Sequence, residues 1–211
     1  MRPLLDSALK NKPSTTTGKG LERAHAILHA ARHLLAAEGY AGLSMRRVAA
    51  EAGITLSNVQ HYYPNKQVLL EALLLYTMDV FQSKMDSISE AMAASAPSER
   101  FLSTIDMFLD EITDPVTHAI FFEIWALASR HEFASQLMDK MMGRERKAVF
   151  NLIRGLNPAI SDAEYMRRAV LMVAQVEGLM LFRLNRDGQR ARFAEVRTSV
   201  RKLLLHLATV P

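Results

Sequence analysis

Between Gly53 and Lys66 the chain reads GITLSNVQHYYPNK. Thr55, Ser57, Asn58, Gln60 and His61 bring hydroxyls, amides and an imidazole close together, and residues 53–65 contain no Asp or Glu. Such groups donate to and accept from base-pair edges in a DNA major groove, and the lack of carboxylates avoids repelling phosphate. The competing reading is a polar elbow between two longer helices, or a helix-turn-helix that serves only as a packing unit.

A second row of chemistry-bearing residues is His25, His29 and His33, at a spacing that can bind metal from one helix face. The segment His29-Ala30-Ala31-Arg32-His33 lacks the glutamate of a zinc protease. A di-iron bundle needs two Glu-x-x-His motifs, where only Glu22-Arg23-Ala24-His25 is present. The row lies off the apolar face and reads as exposed histidines, so no metal site is expected. The chain has no G-x-S-x-G, no P-loop and no dinucleotide fingerprint, and no cysteine for a disulfide, a Cys-ligated zinc or a thiol nucleophile. The expectation is a protein that is not an enzyme and carries no cofactor.

The elements that must position the polar stretch follow from periodicity and punctuation. Ala24, Ile27, Leu28, Ala31, Leu34 and Leu35 recur at spacings of three and four, predicting a helix from Leu21 that stops at Gly39. Ser44 is a suitable N-cap for a short helix over Met45–Ala52, with Val48, Ala49 and Ala52 inward and Gly53 closing it. A third helix spans Thr55–Tyr62, anchored by Ile54 and Val59, and Pro64 ends it. Asn65 caps a long fourth helix from Lys66 towards Ala94, with Val68, Leu69, Ala72, Leu73, Tyr76, Val80, Phe81 and Met85 inward. Further helices are predicted over Glu99–Ile112, Pro115–Arg130, Glu132–Leu156, Asp162–Asn185 and Ala191–Ala208, with breaks at Asp114-Pro115, Asn157-Pro158 and Asp187-Gly188. No alternating strand pattern and no solenoid repeat is present.

A short helix, a tight turn at a glycine and a second short helix form a helix-turn-helix, whose second helix enters the major groove. From about Leu21 to Leu74 the chain resembles the DNA-binding domain of TetR-type repressors. The resemblance rests on Glu38-Gly39-Tyr40, on the run from Ser44 through Arg46, Val48, Ala49, Ala52 and Gly53 to Ile54, and on the run from Thr55 through Ser57 and Tyr62 to Pro64 and Lys66. It implies that Ser44 and Lys66 hold phosphate, that Arg46 reaches a phosphate or a guanine edge, and that Thr55, Leu56, Ser57, Asn58 and His61 face the groove. Where the family usually has Tyr this chain has Gln60, which can pair with an adenine instead. Tyr62 fits a phosphate contact, and Tyr63 stands at the usual Phe position and is expected in the core.

For the remaining two thirds the resemblance implies a helical ligand-binding and dimerising domain. Phe122-Glu123-Ile124-Trp125, Phe133 and Glu177-Gly178-Leu179-Met180 look loosely similar to the C-terminal domain of the betaine-type repressor subgroup. In that family the last two helices of two chains form a four-helix interface, to which Met166, Val170, Val173, Gly178, Phe182, Val196, Val200 and Leu204 are assigned here. A glycine inside a helix costs about 1 kcal/mol relative to alanine, so Gly178 suggests close helix approach. Phe81, Met85, Phe108, Phe122, Trp125, Met172 and Gln175 are the candidate pocket lining, since methionine and aromatic side chains adapt to apolar ligands. Glu123 and Glu177 are candidates to face a cationic ligand, and the ordinary reading of all these residues is core or solvated surface.

Composition agrees with this division. Residues 1–66 hold 9 Lys or Arg against 4 Asp or Glu, and residues 67–211 hold 17 against 18, so the whole basic excess of the +4 chain lies at the end expected to meet a polyanion. Residues 1–20, with Lys10, Lys12, Lys19 and the run Ser14 to Gly18, read as a disordered basic arm. No secretory h-region and no apolar run of membrane-spanning length is seen, which predicts a cytoplasmic protein without a membrane partner. The combined expectation is an all-α chain of about nine helices: the arm over 1–20, a three-helix DNA-binding domain over 21–66 and a ligand-binding and dimerising domain over 67–211. Its expected function is that of a homodimeric regulator, in particular a repressor, that binds double-stranded DNA at a palindromic operator and answers to an unknown small-molecule effector. The alternative is a helical small-molecule carrier or interaction protein without DNA binding.

Overall fold

The computed structural model describes residues 18–182 and 190–211. The described residues contain nine α-helices and no strand: α1 (Gly18–Gly42), α2 (Met45–Glu51), α3 (Leu56–Tyr62), α4 (Lys66–Ala91), α5 (Pro97–Glu111), α6 (Pro115–Ala128), α7 (Glu132–Ile153), α8 (Asp162–Met180) and α9 (Arg190–Thr209). The expected all-α fold is therefore observed, and the element boundaries differ by a few residues. Most of the arm expected over 1–20, and the break at Asp187-Gly188, lie outside the described residues. Gly18, Lys19 and Gly20 already belong to α1.

The chain divides into two compact units, one holding the residues up to Ser83 with Ala119–Asp139, the other Lys84–His118 with Lys140–Pro211. Residue 66 lies inside the first unit, and α4, α6 and α7 each contribute residues to both. In the first unit, Ala24, Ile27, Leu28, Ala31, Leu34 and Leu35 of α1, Val48 and Ala49 of α2, Val59 of α3 and Leu69, Leu70, Leu73 and Leu74 of α4 are buried. Burying the Val, Leu and Ile side chains of this set is worth about 1.5–3 kcal/mol each, which is what holds helices as short as α2 and α3 that would not form alone.

The second unit has its own core of Phe101, Ile105 and Leu109 from α5, Val149 and Ile153 from α7, Tyr165, Ala169, Met172 and Val173 from α8, and Val200, Leu204 and Ala208 from α9. Arg197 pairs with Asp106 and Asp110, and Arg201 with Asp106, which fixes α9 against α5. The end of α9 is tied down by the Asn157 amide donating to the Thr209 carbonyl at 2.6 Å and by Arg168 donating to the Leu207 carbonyl at 2.9 Å. The Tyr165 hydroxyl accepts the Asn157 N–H at 2.7 Å, so its buried oxygen is satisfied.

Candidate nucleic-acid interface

The interface begins with two caps. The Ser44 hydroxyl accepts the Arg47 N–H at 3.3 Å, and the Thr55 hydroxyl accepts the Asn58 N–H at 3.3 Å, so each short helix starts with a satisfied donor. Between them Gly53 has φ +64, and the backbone bonds Gly53 N–H to Ala50 and Ile54 N–H to Ala49 close α2 as a Schellman turn. A Cβ at Gly53 would meet nothing within 4 Å, so the left-handed backbone, not space, calls for glycine there. The Asn65 side chain accepts the Val68 N–H at 3.0 Å and starts α4 as its sequence implied.

On α3, Val59 and Tyr63 are buried one turn apart, which turns Ser57, Asn58, Gln60 and His61 to solvent. Leu56 and Tyr62 are half-buried, and the His61 and Tyr62 rings meet edge to face at 5.4 Å. The exposed polar set is the one picked out by residue type, with one qualification: Thr55 is exposed, but its hydroxyl is occupied as the N-cap and is 2.9 Å from the Ser57 hydroxyl. Arg46 on α2 is exposed. Its neighbour Arg47 pairs with both carboxylate oxygens of Glu38 and holds that carboxyl below the usual range.

Lys66 is engaged within the chain. Assigned to a phosphate, it is half-buried here, donates to the Tyr40 carbonyl and lies 3.6 Å over the centre of the Tyr40 ring. Burial pushes its ammonium down from the ordinary lysine range, and the Glu123 carboxylate opposes that shift. Glu123, a candidate for facing a cationic ligand, instead accepts the Tyr40 N–H at 2.7 Å. Tyr63 is buried as expected at a Phe-like position. Its phenol oxygen finds no hydrogen-bond partner among the described residues, and burial pushes its pKa up.

The residues assigned elsewhere are divided. Of the candidate pocket lining, Phe81, Phe122 and Trp125 fall in the first unit, with Trp125 exposed; Met85, Phe108, Met172 and Gln175 fall in the second. Met172 is part of the second unit's core, and Gln175 is exposed. Glu177, the other candidate for a cation, shares a hydrogen bond with Glu145 of α7; burial and that neighbour push the Glu145 carboxyl well up, and burial raises Glu177 as well. Of the residues assigned to a dimer interface, Met166, Val170 and Phe182 are exposed and Gly178 and Val196 half-buried. Val173, Val200 and Leu204 are buried in the core of their own unit, because α8 and α9 turn those positions towards α5 and α7. Sequence reasoning missed Leu171, exposed on α8, and Leu181, exposed just after its end; residue type alone does not set them apart from the buried Leu179 of the same stretch.

A capped short helix, a left-handed glycine and a second capped helix with a polar, carboxylate-free outer face define a DNA-binding helix-turn-helix protein. The chain belongs to the TetR family of bacterial regulatory proteins, whose N-terminal model matches residues 27–73. It is 31% identical to an HTH-type transcriptional regulator in the dhlA 5' region of Xanthobacter autotrophicus, over 72% of this chain and 75% of that one. It is 28% identical to the HTH-type transcriptional regulator BetI of Rhizobium meliloti, over 75% and 76%. Its fold is similar to that of a TetR transcription regulator from Haloarcula marismortui, with a TM-score of 0.69 at 19% identity, over 89% of this chain and 97% of the other. The protein is thus a DNA-binding transcriptional regulator, which sets aside the carrier reading; its named relatives are regulators, not enzymes. No helix among the described residues is long and apolar enough to cross a membrane.

Proposed function

We propose that the protein is a homodimeric, cytoplasmic repressor that grips a palindromic operator and is released from it by a small-molecule effector. The observation that carries the DNA half of this reading is the outward face of α3, where Ser57, Asn58, Gln60 and His61 are exposed together on a helix capped by Thr55. Asn58 and Gln60 are the candidates to pair bidentately with adenine, and Arg46 and Tyr62 the candidates for phosphate. Two copies of α3 would enter successive major grooves about 34 Å apart, which makes the operator a pseudo-palindrome.

The dimer half rests on α8. Met166, Val170 and Leu171 on α8, with Leu181 and Phe182 in the turn that follows it, are exposed, and a monomeric surface seldom carries such a run. A Cβ on Gly178, in the same run, would meet nothing within 4 Å among the described residues, so none of them gives the glycine a steric reason. Close approach of a second α8 supplies one. An effector releases the DNA only if it binds the non-DNA conformation more tightly.

The test is to titrate the dimer against the duplex upstream of its own gene and against a scrambled duplex of equal length, at two salt concentrations. Selective, salt-sensitive binding is expected. If neither that duplex nor any sequence recovered by selection from random duplexes binds above background, the operator reading is wrong.

A further inference from the structure

The last turn of α1 is broken at Gly39, whose backbone has φ +68 and ψ −174. Only Gly39 in α1 has a non-helical backbone, and both polar groups of the Tyr40 main chain that follows it are held by side chains from other helices. The N–H donates to the Glu123 carboxylate of α6 at 2.7 Å, across 83 residues of sequence, and the C=O accepts from the Lys66 ammonium at the start of α4. Three atoms of the Glu123 carboxyl group lie 2.9–3.0 Å from where a Cβ on Gly39 would stand. Gly39 is therefore required twice, for its left-handed backbone and for the room that lets the carboxylate reach its neighbour. The bond is charge-assisted and partly buried, the kind that holds geometry most firmly.

Only Ala41, Gly42 and Leu43 separate Tyr40 from Ser44, the cap of α2, and the Leu43 N–H is itself bonded to the Gly39 carbonyl at 3.2 Å. The junction that orients α2, and through the Gly53 turn α3, is thus tied to α6 by one carboxylate. We propose that Glu123 is a positioning residue for DNA binding, which sets the α1–α2 junction through the Tyr40 amide without touching DNA itself. This rests on the reading of α3 as the helix that enters the groove. A displacement of α6 that withdrew the carboxylate would free the junction, so the same residue links any rearrangement of α6 to operator affinity.

The test uses the full-length dimer and the duplex that the wild type selects from a random pool. Affinity is measured per folded dimer, well below the melting temperature of every variant, alongside hydrogen exchange at the Tyr40 amide. Glu123→Ala removes the acceptor, Glu123→Asp keeps the charge but is one methylene short, and Glu123→Gln keeps an acceptor of the right length. Glu123→Ala and Glu123→Asp are expected to bind the selected duplex about tenfold more weakly and to exchange Tyr40 faster, with Glu123→Gln within about threefold of wild type. If Glu123→Ala does not fold, Glu123→Asp carries the comparison. Unchanged affinity in Glu123→Asp, or a loss in Glu123→Gln as large as in Glu123→Asp, overturns the proposal. A wild type that selects no duplex instead removes the DNA-binding reading on which it rests.

Discussion

Two helices of this protein show solvent the opposite of each other. The outer face of α3 presents Ser57, Asn58, Gln60 and His61; α8 presents Met166, Val170 and Leu171, and the turn at its end Leu181 and Phe182, the last three 57, 68 and 71% exposed. Both helices bury an apolar side in their own unit, Val59 in one and Ala169, Met172 and Val173 in the other. Amphipathicity therefore explains the inward faces of both and the outward face of neither. An outward face rich in amides and hydroxyls suits the donor and acceptor edges of base pairs, whereas an outward apolar run lowers its free energy only by meeting another apolar surface. On the proposed function the contrast assigns each unit a partner by chemistry: a polyanion with readable edges for the first, a second copy of the same surface for the second.

The largest effect is expected from reversing the polarity of the second face. Met166→Glu combined with Val170→Glu places four like charges across a symmetric interface. Sedimentation should then find the 23.7 kDa monomer, with operator affinity down by at least about a hundredfold. A variant that stays dimeric would take α8 out of the interface. Erasing the first face one group at a time is milder: Asn58→Ala should weaken the selected duplex by about 1–3 kcal/mol and leave random DNA almost unchanged. Equal losses on both duplexes would mean that Asn58 does not read bases.

The interiors of the two units can be set against each other in the same way. Glu145 and Glu177 lie together inside the second unit, and burial with the neighbouring carboxyl raises the Glu145 pKa above its usual 4.5. A carboxyl raised on folding contributes stability below its unfolded pKa and loses it as pH climbs through the folded value. Denaturant midpoints should therefore show Glu145→Gln gaining on wild type from about pH 4.5 upward, by about 1–2 kcal/mol at neutral pH, with no gain below pH 4.5. A gain that is the same at every pH would place its origin elsewhere.

In the first unit one comparable defect is uncharged, the phenol oxygen of Tyr63, which has no hydrogen-bond partner among the described residues. Tyr63→Phe should raise the denaturant midpoint by the equivalent of about 1 kcal/mol, the scale of a buried polar group left without a partner. A loss of stability would reveal a partner for that oxygen.

Much of the first unit was legible in the sequence because its signals are local. Ser44, Thr55 and Asn65 cap helices within three residues of themselves, Gly53 turns the chain where it stands, and Val59 with Tyr63 sets the facing of α3 by helical period alone. The intrachain partner of Lys66, the Tyr40 carbonyl, was not legible because it lies 26 residues away across the fold. That Val173, Val200 and Leu204, assigned to the dimer face, are buried in the core of their own unit was hidden for a related reason. A helix that is apolar on several sides does not reveal from its own sequence which side its own core takes.

The sequence by itself determined the helices, the caps and turn of the DNA-binding unit, and the family, because each depends on residue type at short spacing. Only the tertiary structure decided where long-range partners meet: that Glu123 holds the Tyr40 amide across 83 residues, that Glu145 and Glu177 share a hydrogen bond, and that Leu171 and Phe182 stay outside while Val173 is buried. A cap is settled by the conformation of one turn, but a side chain's partner depends on how whole helices pack, and no window of sequence contains that.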